Sequence, residues 1–218
     1  AGEGWHRGVI GIVASRLVDA FHRPAVVISI EGDTAHGSCR SIPGFDMLAA
    51  LTACSAHLAQ FGGHRAAAGL TLGRTSIRAF RDALTRWADD RLGPDDLRPR
   101  LRIDGQLGFR QITPGLYDGI SQLAPFGAGN PKPTFWTPGA RLADGPRRIK
   151  ERHLSMSLRH DGVALRGVFW RAAERAAEMT AARDGLDVAY SIERNTFNGY
   201  TSLELTLADV RASGGEPR

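Results

Sequence analysis

The stretch Gly62-Gly63-His64-Arg65-Ala66-Ala67-Ala68-Gly69 joins a pair of glycines to an imidazole and then to a run of small residues. The glycine pair lets the backbone adopt positive φ and brings N–H groups to the surface with no Cβ in the way. The small residues allow close packing, and residues 67–72 are typical of a strand. The stretch therefore predicts a strand beside a turn that suits an anion such as phosphate. The alternative is a turn before a buried strand, with a histidine that only braces it.

A second motif lies upstream, Gly37-Ser38-Cys39-Arg40-Ser41-Ile42-Pro43-Gly44-Phe45. It places two hydroxyls and a guanidinium on one short segment, and these groups bind oxyanions. If residues 34–40 form a strand, Ser38 and Arg40 share a face because side chains alternate along a strand. A phosphate site is therefore predicted at Ser38, Arg40, Ser41, Gly62, Gly63 and His64. A surface arginine among turn-forming serines is the alternative.

Composition places the chain among globular proteins of one large or two ordinary domains, with 218 residues, 42% of them hydrophobic and 23% charged. No apolar run approaches the ~20 residues of a membrane span, and no basic-then-apolar leader opens the chain. We therefore expect a cytoplasmic protein with no membrane partner. Cys39 and Cys54 lack the spacing of a disulfide framework or a zinc site, which predicts reduced structural thiols.

The net charge is +5, and nearly all of the basic residues are arginines. The densest basic cluster lies in the second half of the chain, at Arg141, Arg147, Arg148, Lys150, Arg152 and Arg159. A basic protein favours a polyanionic partner, although arginine bias also follows from genome composition.

Helical and strand patterns alternate in residues 1–93. Apolar residues recur at helical spacing from Val9 to Phe21, and a β-branched run follows at 25–30. A helix over 46–57 with Asp46 as N-cap, and another from 77 to 92 capped by Ser76, complete the pattern. Residues 1–93 are therefore predicted to form a small α/β domain with a mixed sheet.

A turn-rich linker at 94–100 precedes a change to β pattern. Strands are predicted at 101–105, 154–158, 163–170, 188–192 and 203–207, with a helix inserted at 171–182 and turns at Asp161-Gly162 and 195–199. About five strands and one inserted helix suit a small barrel of the OB type over 101–212, followed by a disordered tail at 213–218. The predicted fold class is thus α/β, with an OB-type β-barrel after the mixed-sheet domain.

Five motifs in order carry a resemblance to a known family. They are residues 5–16 (WHRGVIGIVASR), 37–45 (GSCRSIPGF), 62–69 (GGHRAAAG), 123–135 (LAPFGAGNPKPTF) and 197–200 (FNGY). Together they resemble the DHH-associated domain and the OB domain of the RecJ family of single-strand-specific exonucleases. The resemblance covers essentially the whole chain.

The resemblance implies a 5′-to-3′ exonuclease that acts on single-stranded DNA in recombination and repair. In that family an N-terminal DHH domain holds manganese or magnesium, which would activate water there. This chain has no Asp-His-His run and its seven histidines are scattered, so we expect a C-terminal fragment that binds no metal and is inactive alone. Single-stranded DNA and the DHH domain of the same protein are the implied partners, and a single-strand-binding protein and a helicase are further candidates.

The resemblance also assigns roles to residues. Ser38 and Arg40 match positions that grip a phosphate near the 5′ end, while Gly62, Gly63 and His64 match a turn that faces the metal site. His64 is the one candidate catalytic residue, as a donor to the scissile phosphate; bracing of the turn is its alternative.

In the OB half, DNA binding is expected from Arg147, Arg148, Lys150 and Arg152 for phosphates and from Phe197 and Tyr200 for stacking. Phe197 stands where the family usually has tryptophan, and packing onto the barrel end is the alternative role of such an aromatic. The PFGAGNPKP run is interpreted as structural.

Two functions of different classes remain. The first is the substrate-binding portion of an exonuclease, and the second is a free-standing single-strand-binding module without nuclease activity. A different phosphoesterase, or the alanyl-tRNA synthetase editing lineage, is disfavoured by the OB signature.

Overall fold

The computed structural model of the chain describes residues 1–127 and 129–214. The chain divides into two compact units, and the boundary lies between Arg100 and Leu101. The predicted domain boundaries and the linker at 94–100 stay predictions; in the structure, Leu92 and Leu97 pack against the core of the first unit. Ser213 and Gly214 form a turn, and the rest of the predicted disordered tail lies outside the described residues.

The first unit, all of whose residues are described, contains a five-stranded mixed sheet and three helices. In chain order the elements are β1 Gly2–Glu3, α1 Arg7–Phe21, β2 Ala25–Glu31, β3 Thr34–Arg40, α2 Met47–Ala53, β4 Gln60–Gly63, β5 Ala67–Gly73 and α3 Ile77–Asp89. The strand order is β1-β2-β3-β5-β4. The β1–β2 pair is parallel and the others are antiparallel.

The sheet of the first unit is covered on both faces. Helices α2 and α3 pack on one face, where Met47, Leu51 and Phe80 are almost fully buried. On the other face, Ile10 and Ala14 of α1 bury Val27 of β2. Burial alternates along β3, because successive side chains of a strand point to opposite faces.

Helix starts in the first unit follow from local capping. The His6 ring accepts a hydrogen bond from Gly8 N, and the Asp46 carboxylate accepts one from Ala49 N, as predicted for that N-cap. Ser76 makes no side-chain capping bond, so its predicted role is wrong; a 3₁₀ turn over Arg74–Ser76 leads into α3 instead. The helix predicted over 46–57 ends at Ala53, and a 3₁₀ turn follows at Ser55–His57.

The second unit is built on a closed barrel. Its elements are β6 Gly105–Gln106, α4 Pro114–Ser121, β7 Phe135–Ile149, β8 His153–His160, β9 Val163–Phe169, α5 Ala176–Ala181, β10 Leu186–Phe197 and β11 Tyr200–Ala212. The order β7-β8-β9-β11-β10 closes through β10–β7 pairing, with β9 and β11 parallel. The helix α5 is inserted between β9 and β10. The predicted fold class, a mixed-sheet α/β domain followed by an OB-type barrel with an inserted helix, is confirmed.

A buried hydrogen-bond pair sits in the barrel core. Tyr190 is fully buried, and its hydroxyl lies 2.8 Å from Thr137 Oγ1. Thr137 Oγ1 donates to the Leu107 carbonyl at 2.6 Å, so the Tyr190 hydroxyl is the donor of the pair. Burial raises the pKa of Tyr190 to about 12, which keeps the phenol neutral at ordinary pH.

Three elements of the second unit differ from the sequence prediction. The strand predicted at 101–105 is wrong: only Gly105–Gln106 pairs, and Leu101 and Ile103 are exposed. The long strand β7 was not predicted, because Pro138, Gly139 and the Gly145-Pro146 pair interrupt its alternation, and register shifts separate Leu142 from Arg147. The helix predicted at 171–182 begins only at Ala176, after a 3₁₀ turn at Ala173–Arg175. Among the described residues, no helix is long and apolar enough to cross a membrane.

Candidate nucleic-acid interface

Ser38 and Arg40 lie together on the face of the first sheet that α1 covers. Arg40 Nη1 donates to Ser38 Oγ at 3.2 Å and to the Cys39 carbonyl at 2.8 Å. Cys39, between them, points into the core, and burial raises the pKa of its thiol to about 12. The alternation along β3 thus separates an inert thiol from a paired hydroxyl and guanidinium, two donors that can address one oxyanion.

The register of the sheet joins the two motifs. Ser38 of β3 pairs with Gly69 of β5, and Gly69 pairs on its other side with Gly62 of β4. The loops after these strands are also linked, because Ser41 N donates to Ala66 O at 2.9 Å. Two segments that are separate in sequence therefore form one continuous surface.

A pocket of about 380 Å³ opens on this surface beside the first turn of α1. Glycine backbone at positions 37, 62 and 69 forms part of its lining. A Cβ at Gly62 would meet no atom within 4 Å, so no side chain fills the space there. The polar groups that line it belong to Arg7, His36, Ser38, Gln60 and Thr71. None of the lining residues is acidic, so the pocket favours an anionic ligand.

The positive charge of Arg7, which lines the pocket, and of Arg40, which donates to the lining residue Ser38, is not neutralised by an ion pair within the described residues. Neither Arg7 nor Arg40 has a carboxylate partner among the ion pairs of residues 1–127 and 129–214. Arg7 begins α1, a helix of 15 residues, and the N-terminal end of a helix carries a partial positive charge. The two guanidinium groups and the helix end add up to a positive potential on one face of the sheet.

The glycines of the Gly62-Gly63 pair have different tasks. Gly63 has φ +144°, and a Cβ there would stand 2.5 Å from Ala67 O, so only glycine fits. A Cβ at Gly62 would meet no atom within 4 Å. The predicted Gly-Gly turn is wrong in its position, because both glycines end strand β4 and pair with β5, and the turn follows at 64–66. Gly63 allows the chain to enter that turn, while Gly62 keeps the pocket open.

His64 follows this pair with an exposed side chain. Its backbone N–H donates to Ala67 O at 2.8 Å and closes the turn. Its ring makes no hydrogen bond to the part of the chain that the structure describes. Its predicted contact with a phosphate stays a prediction.

Ser41 has a structural role in this structure. Its hydroxyl donates to the Phe45 carbonyl at 2.7 Å and so braces the turn after β3. The hydroxyl oxygen can still accept hydrogen bonds, but the hydroxyl proton is already donated to Phe45. Its predicted phosphate contact also stays a prediction.

Sequence reasoning missed four polar residues of the pocket: Arg7, His36, Gln60 and Thr71. His36 Nδ1 lies 3.2 Å from Thr71 Oγ1, in the row next to Ser38. The period of two along β3 already places His36 on the face of Ser38 and Arg40, so this signal was available. Arg7, Gln60 and Thr71 come to the site only through strand pairing and the packing of α1.

In the second unit, the β7–β8 turn and the strand ends beside it carry Arg147, Arg148, Lys150 and Arg152 of the predicted basic cluster. Arg141 and Arg159 pair with each other farther along these strands. Arg148, Lys150 and Arg152 are exposed and have no ion pair within the described residues. Arg147 differs, because its Nη2 donates to both carboxylate oxygens of Asp144, at 3.1 and 2.8 Å. Three of these four predicted cations can therefore bind phosphate directly. Arg147 would first have to exchange its Asp144 partner for a phosphate.

The two predicted stacking residues stand side by side. Phe197 ends β10 and Tyr200 begins β11, and they form the last cross-strand pair of the hairpin. Their side chains are 71% and 83% exposed, so neither packs onto the barrel. Exposed aromatic faces at a hairpin tip suit base stacking.

A groove next to this hairpin contains residues that the sequence did not indicate. It has a volume of about 620 Å³ and is lined by Phe197, Tyr200, Asn195, Arg166 and Glu204, among others. Glu204 Oε1 accepts hydrogen bonds from Arg166 at 3.0 Å and from Asn195 at 2.7 Å. The groove is therefore polar and charge-balanced at its base, with aromatic rings at its rim.

The PFGAGNPKP run is braced from within. Asn130 Nδ2 donates to the carbonyls of Leu123 and Pro125, at 2.8 and 3.0 Å, and Gly127 and Asn130 exchange backbone hydrogen bonds. Phe126 packs against the barrel core. These contacts agree with a structural role.

Comparison with known proteins identifies both units. The chain matches the family model of the DHHA1 domain over residues 1–90 and that of the RecJ OB domain over residues 103–209. It is 35% identical over 217 residues to the single-stranded-DNA-specific exonuclease RecJ of Bacillus subtilis, a match of 98% of this chain and 27% of the relative. The protein of the same name from Escherichia coli is 30% identical over 213 residues, covering 94% and 36%.

A solved structure gives the same result. RecJ from Thermus thermophilus in complex with Mg²⁺ superimposes with a TM-score of 0.81 and 29% sequence identity, over 99% of this chain and 32% of that chain. A second structure of that protein contains Mn²⁺. The fold and its two surfaces define a protein built from a DHH-associated domain and an OB domain.

The chain belongs to the RecJ family, as the sequence motifs predicted. It spans 27% of the length of the Bacillus subtilis relative and 36% of the Escherichia coli relative.

Proposed function

We propose that this chain is the substrate-binding portion of a single-stranded-DNA exonuclease with 5′-to-3′ polarity that acts in recombination and repair. The observation that carries the proposal is the open positive surface where Arg40 and Ser38 meet the glycines of β4 and β5. Such a surface offers a planar fork of donors, a hydroxyl and close backbone approach to one phosphate.

The residues of the first unit would position the strand end. Arg40 binds two oxygens of a phosphate, and Ser38 turns its hydroxyl to a third. Arg7, which lines the same pocket from the first turn of α1, attracts the next phosphate. His64, exposed at the end of the turn, donates to the scissile phosphate or to its neighbour.

The second unit would hold the strand that follows. Arg148, Lys150 and Arg152 contact the backbone, and Phe197 and Tyr200 stack on bases. Both kinds of contact are independent of sequence, as an enzyme that degrades strands of any sequence requires.

Hydrolysis itself is assigned to another part of the enzyme. Within residues 1–127 and 129–214, no three His, Cys, Asp or Glu side chains come close enough to hold a metal ion. The residues described here therefore do not fit a catalytic metal site, and manganese or magnesium would be held by a preceding DHH domain, with this chain inactive alone. A single-strand-binding protein and a helicase are further proposed partners, and a cytoplasmic setting stays a prediction. A free-standing binding module is the less favoured function, because the relatives are exonucleases of which this chain spans only 27% and 36%.

Binding to a labelled 5′-phosphorylated oligothymidine tests the proposal. We expect affinity to fall linearly on a logarithmic scale with salt, because phosphate contacts release counterions. Arg40→Ala should weaken binding by about 1 to 3 kcal/mol. Arg16→Ala is the matched control, because Arg16 is an exposed arginine of α1 in the same unit, whereas Arg40 is the arginine that donates to Ser38. Equal losses in the two variants would refute the assignment of Arg40.

A nuclease assay separates the two functional classes. The purified chain should release no nucleotides with added Mn²⁺. Metal-dependent release would show that the catalytic residues lie within this chain. It would refute the proposal that hydrolysis belongs to a separate DHH domain.

A further inference from the structure

Trp170 is an exposed aromatic residue with no role in the proposed function. It directly follows strand β9 and is 56% exposed, although Phe169 before it and Ala172 after it are buried. A single exposed apolar side chain is ordinary on a protein surface. Trp170 differs because its ring and the backbone beside it are both held by the first residue after the β7–β8 turn, His153.

His153 makes two contacts that fix the orientation of the tryptophan. Its ring meets the Trp170 ring at 71°, with 4.8 Å between the ring centroids. Its Nδ1 accepts a hydrogen bond of 2.9 Å from the backbone N–H of Arg171. A contact between an edge and a face covers at most one side of the indole. A flat apolar surface therefore stays open to solvent in a fixed direction.

The backbone on both sides of this contact is strained. Lys150, Glu151 and Arg171 have left-handed conformations, with φ of 46°, 61° and 55°. Such conformations cost free energy for residues other than glycine, and they persist where the surrounding structure holds them. Here Arg152 N donates to the Lys150 carbonyl at 2.7 Å, and Ala173 N donates to the Arg152 carbonyl at 3.3 Å. Two strained turns are thus joined to each other beside the exposed indole.

The residues of these two turns are mainly basic. Lys150, Arg152 and Arg171 are exposed, and none of them has an ion pair among residues 1–127 and 129–214. Glu151 is the one acidic residue between 150 and 153. An open aromatic face beside unpaired cations suits a nucleotide of a single strand, because the ring stacks on the base and the cations attract the phosphate.

The ring and the cations point to one ligand. We propose that Trp170 is a base-stacking platform for single-stranded DNA, with Arg152 and Lys150 on the adjoining phosphate. This inference rests on the proposed function and deepens it, because it adds a second place on the barrel where a base is held.

The hairpin with Phe197 and Tyr200 lies at the opposite end of β9. In the parallel pair of β9 and β11, Glu204 lies beside Arg166, so Tyr200 falls before the start of β9, whereas Trp170 follows its end. The seven residues of β9 span about 23 Å. A strand of DNA must therefore be several nucleotides long to reach both platforms.

Polar groups line the barrel surface between the two platforms. Arg166 Nε donates to Ser155 Oγ at 3.3 Å, and its Nη1 donates to Glu204 at 3.0 Å. His153 lies two residues before Ser155 in β8, so the two side chains point to the same face. One face of the barrel thus leads from the hairpin to Trp170, which gives the strand a continuous path.

Oligonucleotides with and without bases test the stacking. Trp170→Ala should weaken binding of an oligothymidine of about twelve nucleotides by about tenfold, the loss expected for one stacked base. It should leave unchanged the binding of an abasic strand with the same number of phosphates. Leu123→Ala, which shortens another exposed apolar side chain of the second unit, is the matched control and should leave both affinities unchanged. An equal loss for both strands, or no loss for either, would overturn the proposal.

Trp170→Phe retains an aromatic ring between the two turns and gives a second measurement. Binding of oligothymidine should fall less than in Trp170→Ala, because the smaller ring still stacks. A base stacked on an indole quenches the fluorescence of the indole. Oligothymidine should therefore quench the intrinsic fluorescence of the parent chain more strongly than that of Trp170→Phe. Equal quenching in the two chains would refute a contact between Trp170 and a base.

The same binding assay distinguishes failure of this inference from failure of the proposed function. If Arg40→Ala and Phe197→Ala weaken binding and Trp170→Ala does not, the Trp170 platform is refuted while the proposed function stands. If the parent chain binds no single-stranded DNA, the proposed function is refuted and the platform with it.

Discussion

Gly11 of α1 lies against the side chain of Arg40. A Cβ at residue 11 would stand 3.1 Å from Arg40 Nη2 and 3.1 Å from Ser38 Oγ. Such a distance requires the neighbours to move by a few tenths of an ångström. The absence of a side chain at Gly11 therefore lets the helix cover the sheet without displacing the donor pair.

Gly11→Val should weaken single-stranded DNA binding by about tenfold, or 1.4 kcal/mol. The added methyl groups displace the Arg40 guanidinium, whose far end is flexible, so the free energy of unfolding should fall by no more than about 1 to 3 kcal/mol. Fluorescence anisotropy measures the first quantity and urea denaturation the second. Ala20→Val, on the exposed side of α1, is the control and should leave affinity unchanged. Unchanged affinity in Gly11→Val would argue against Arg40 as the phosphate ligand.

The two glycines at the end of β4 should respond differently to the same substitution. Gly63→Ala forces a Cβ to 2.5 Å from Ala67 O at φ +144°, and should lower the free energy of unfolding by on the order of 2 to 4 kcal/mol. Gly62→Ala meets no atom within 4 Å and should change stability by less than about 0.5 kcal/mol. Its methyl group enters the pocket, so affinity for the oligonucleotide should fall. Thermal denaturation and anisotropy on both variants check this; the reverse order of stabilities would contradict the turn geometry.

Phe197→Ala and Tyr200→Ala should each reduce affinity for single-stranded DNA by about 1 to 3 kcal/mol, the loss expected for one stacked base. Stability should hardly change, since both side chains are largely exposed. Phe197→Trp should retain or improve binding, because a larger ring offers more stacking surface. Leu123→Ala, another exposed apolar residue of the second unit, is the control. Full affinity in a chain that carries both Phe197→Ala and Tyr200→Ala would refute a role of these aromatic side chains in DNA binding.

The Tyr190 phenol should make stability fall at alkaline pH. Burial raises the pKa of Tyr190 to about 12 in the folded state, against 10.0 for the free group. Above pH 10 the unfolded chain loses this proton while the folded chain retains it, so stability declines as pH rises from 10 towards 12. Cys39 contributes in an overlapping range, because its pKa is also about 12.

Comparison of Tyr190→Phe with the parent chain isolates the tyrosine. The variant loses one buried hydrogen bond, worth about 1 kcal/mol at neutral pH, and its stability should decline less steeply above about pH 10. Tyr200→Phe, which changes an exposed phenol, should follow the parent chain. Parallel stability curves for Tyr190→Phe and the parent would show that Tyr190 does not titrate in this way.

Much of the fold follows from local patterns. The bounds predicted for β3 agree with the structure because alternation and flanking turns specify a short strand, and Asp46 begins α2 because its carboxylate satisfies a free backbone N–H. The strand β7 escaped prediction because two prolines and two glycines interrupt its period, although pairing with β8 and β10 supports the whole run. The polar groove at Arg166 and Glu204 was not predicted from the sequence for another reason. Their ion pair joins strands β9 and β11, which are parallel neighbours far apart in sequence.

The segment Gly62-Gly63-His64 and the strand β3 show what the sequence determined and what the tertiary structure determined. The sequence by itself determined that Gly63 allows the chain to enter a turn and that Ser38 and Arg40 share a face, because both follow from backbone sterics and the period of a strand. Only the tertiary structure decided that Gly69 joins Ser38 to Gly62, that Gly11 lets α1 approach, and that Arg7 and His36 complete the pocket. These contacts connect residues distant in the chain, and their formation depends on strand register and helix packing, which no local pattern specifies.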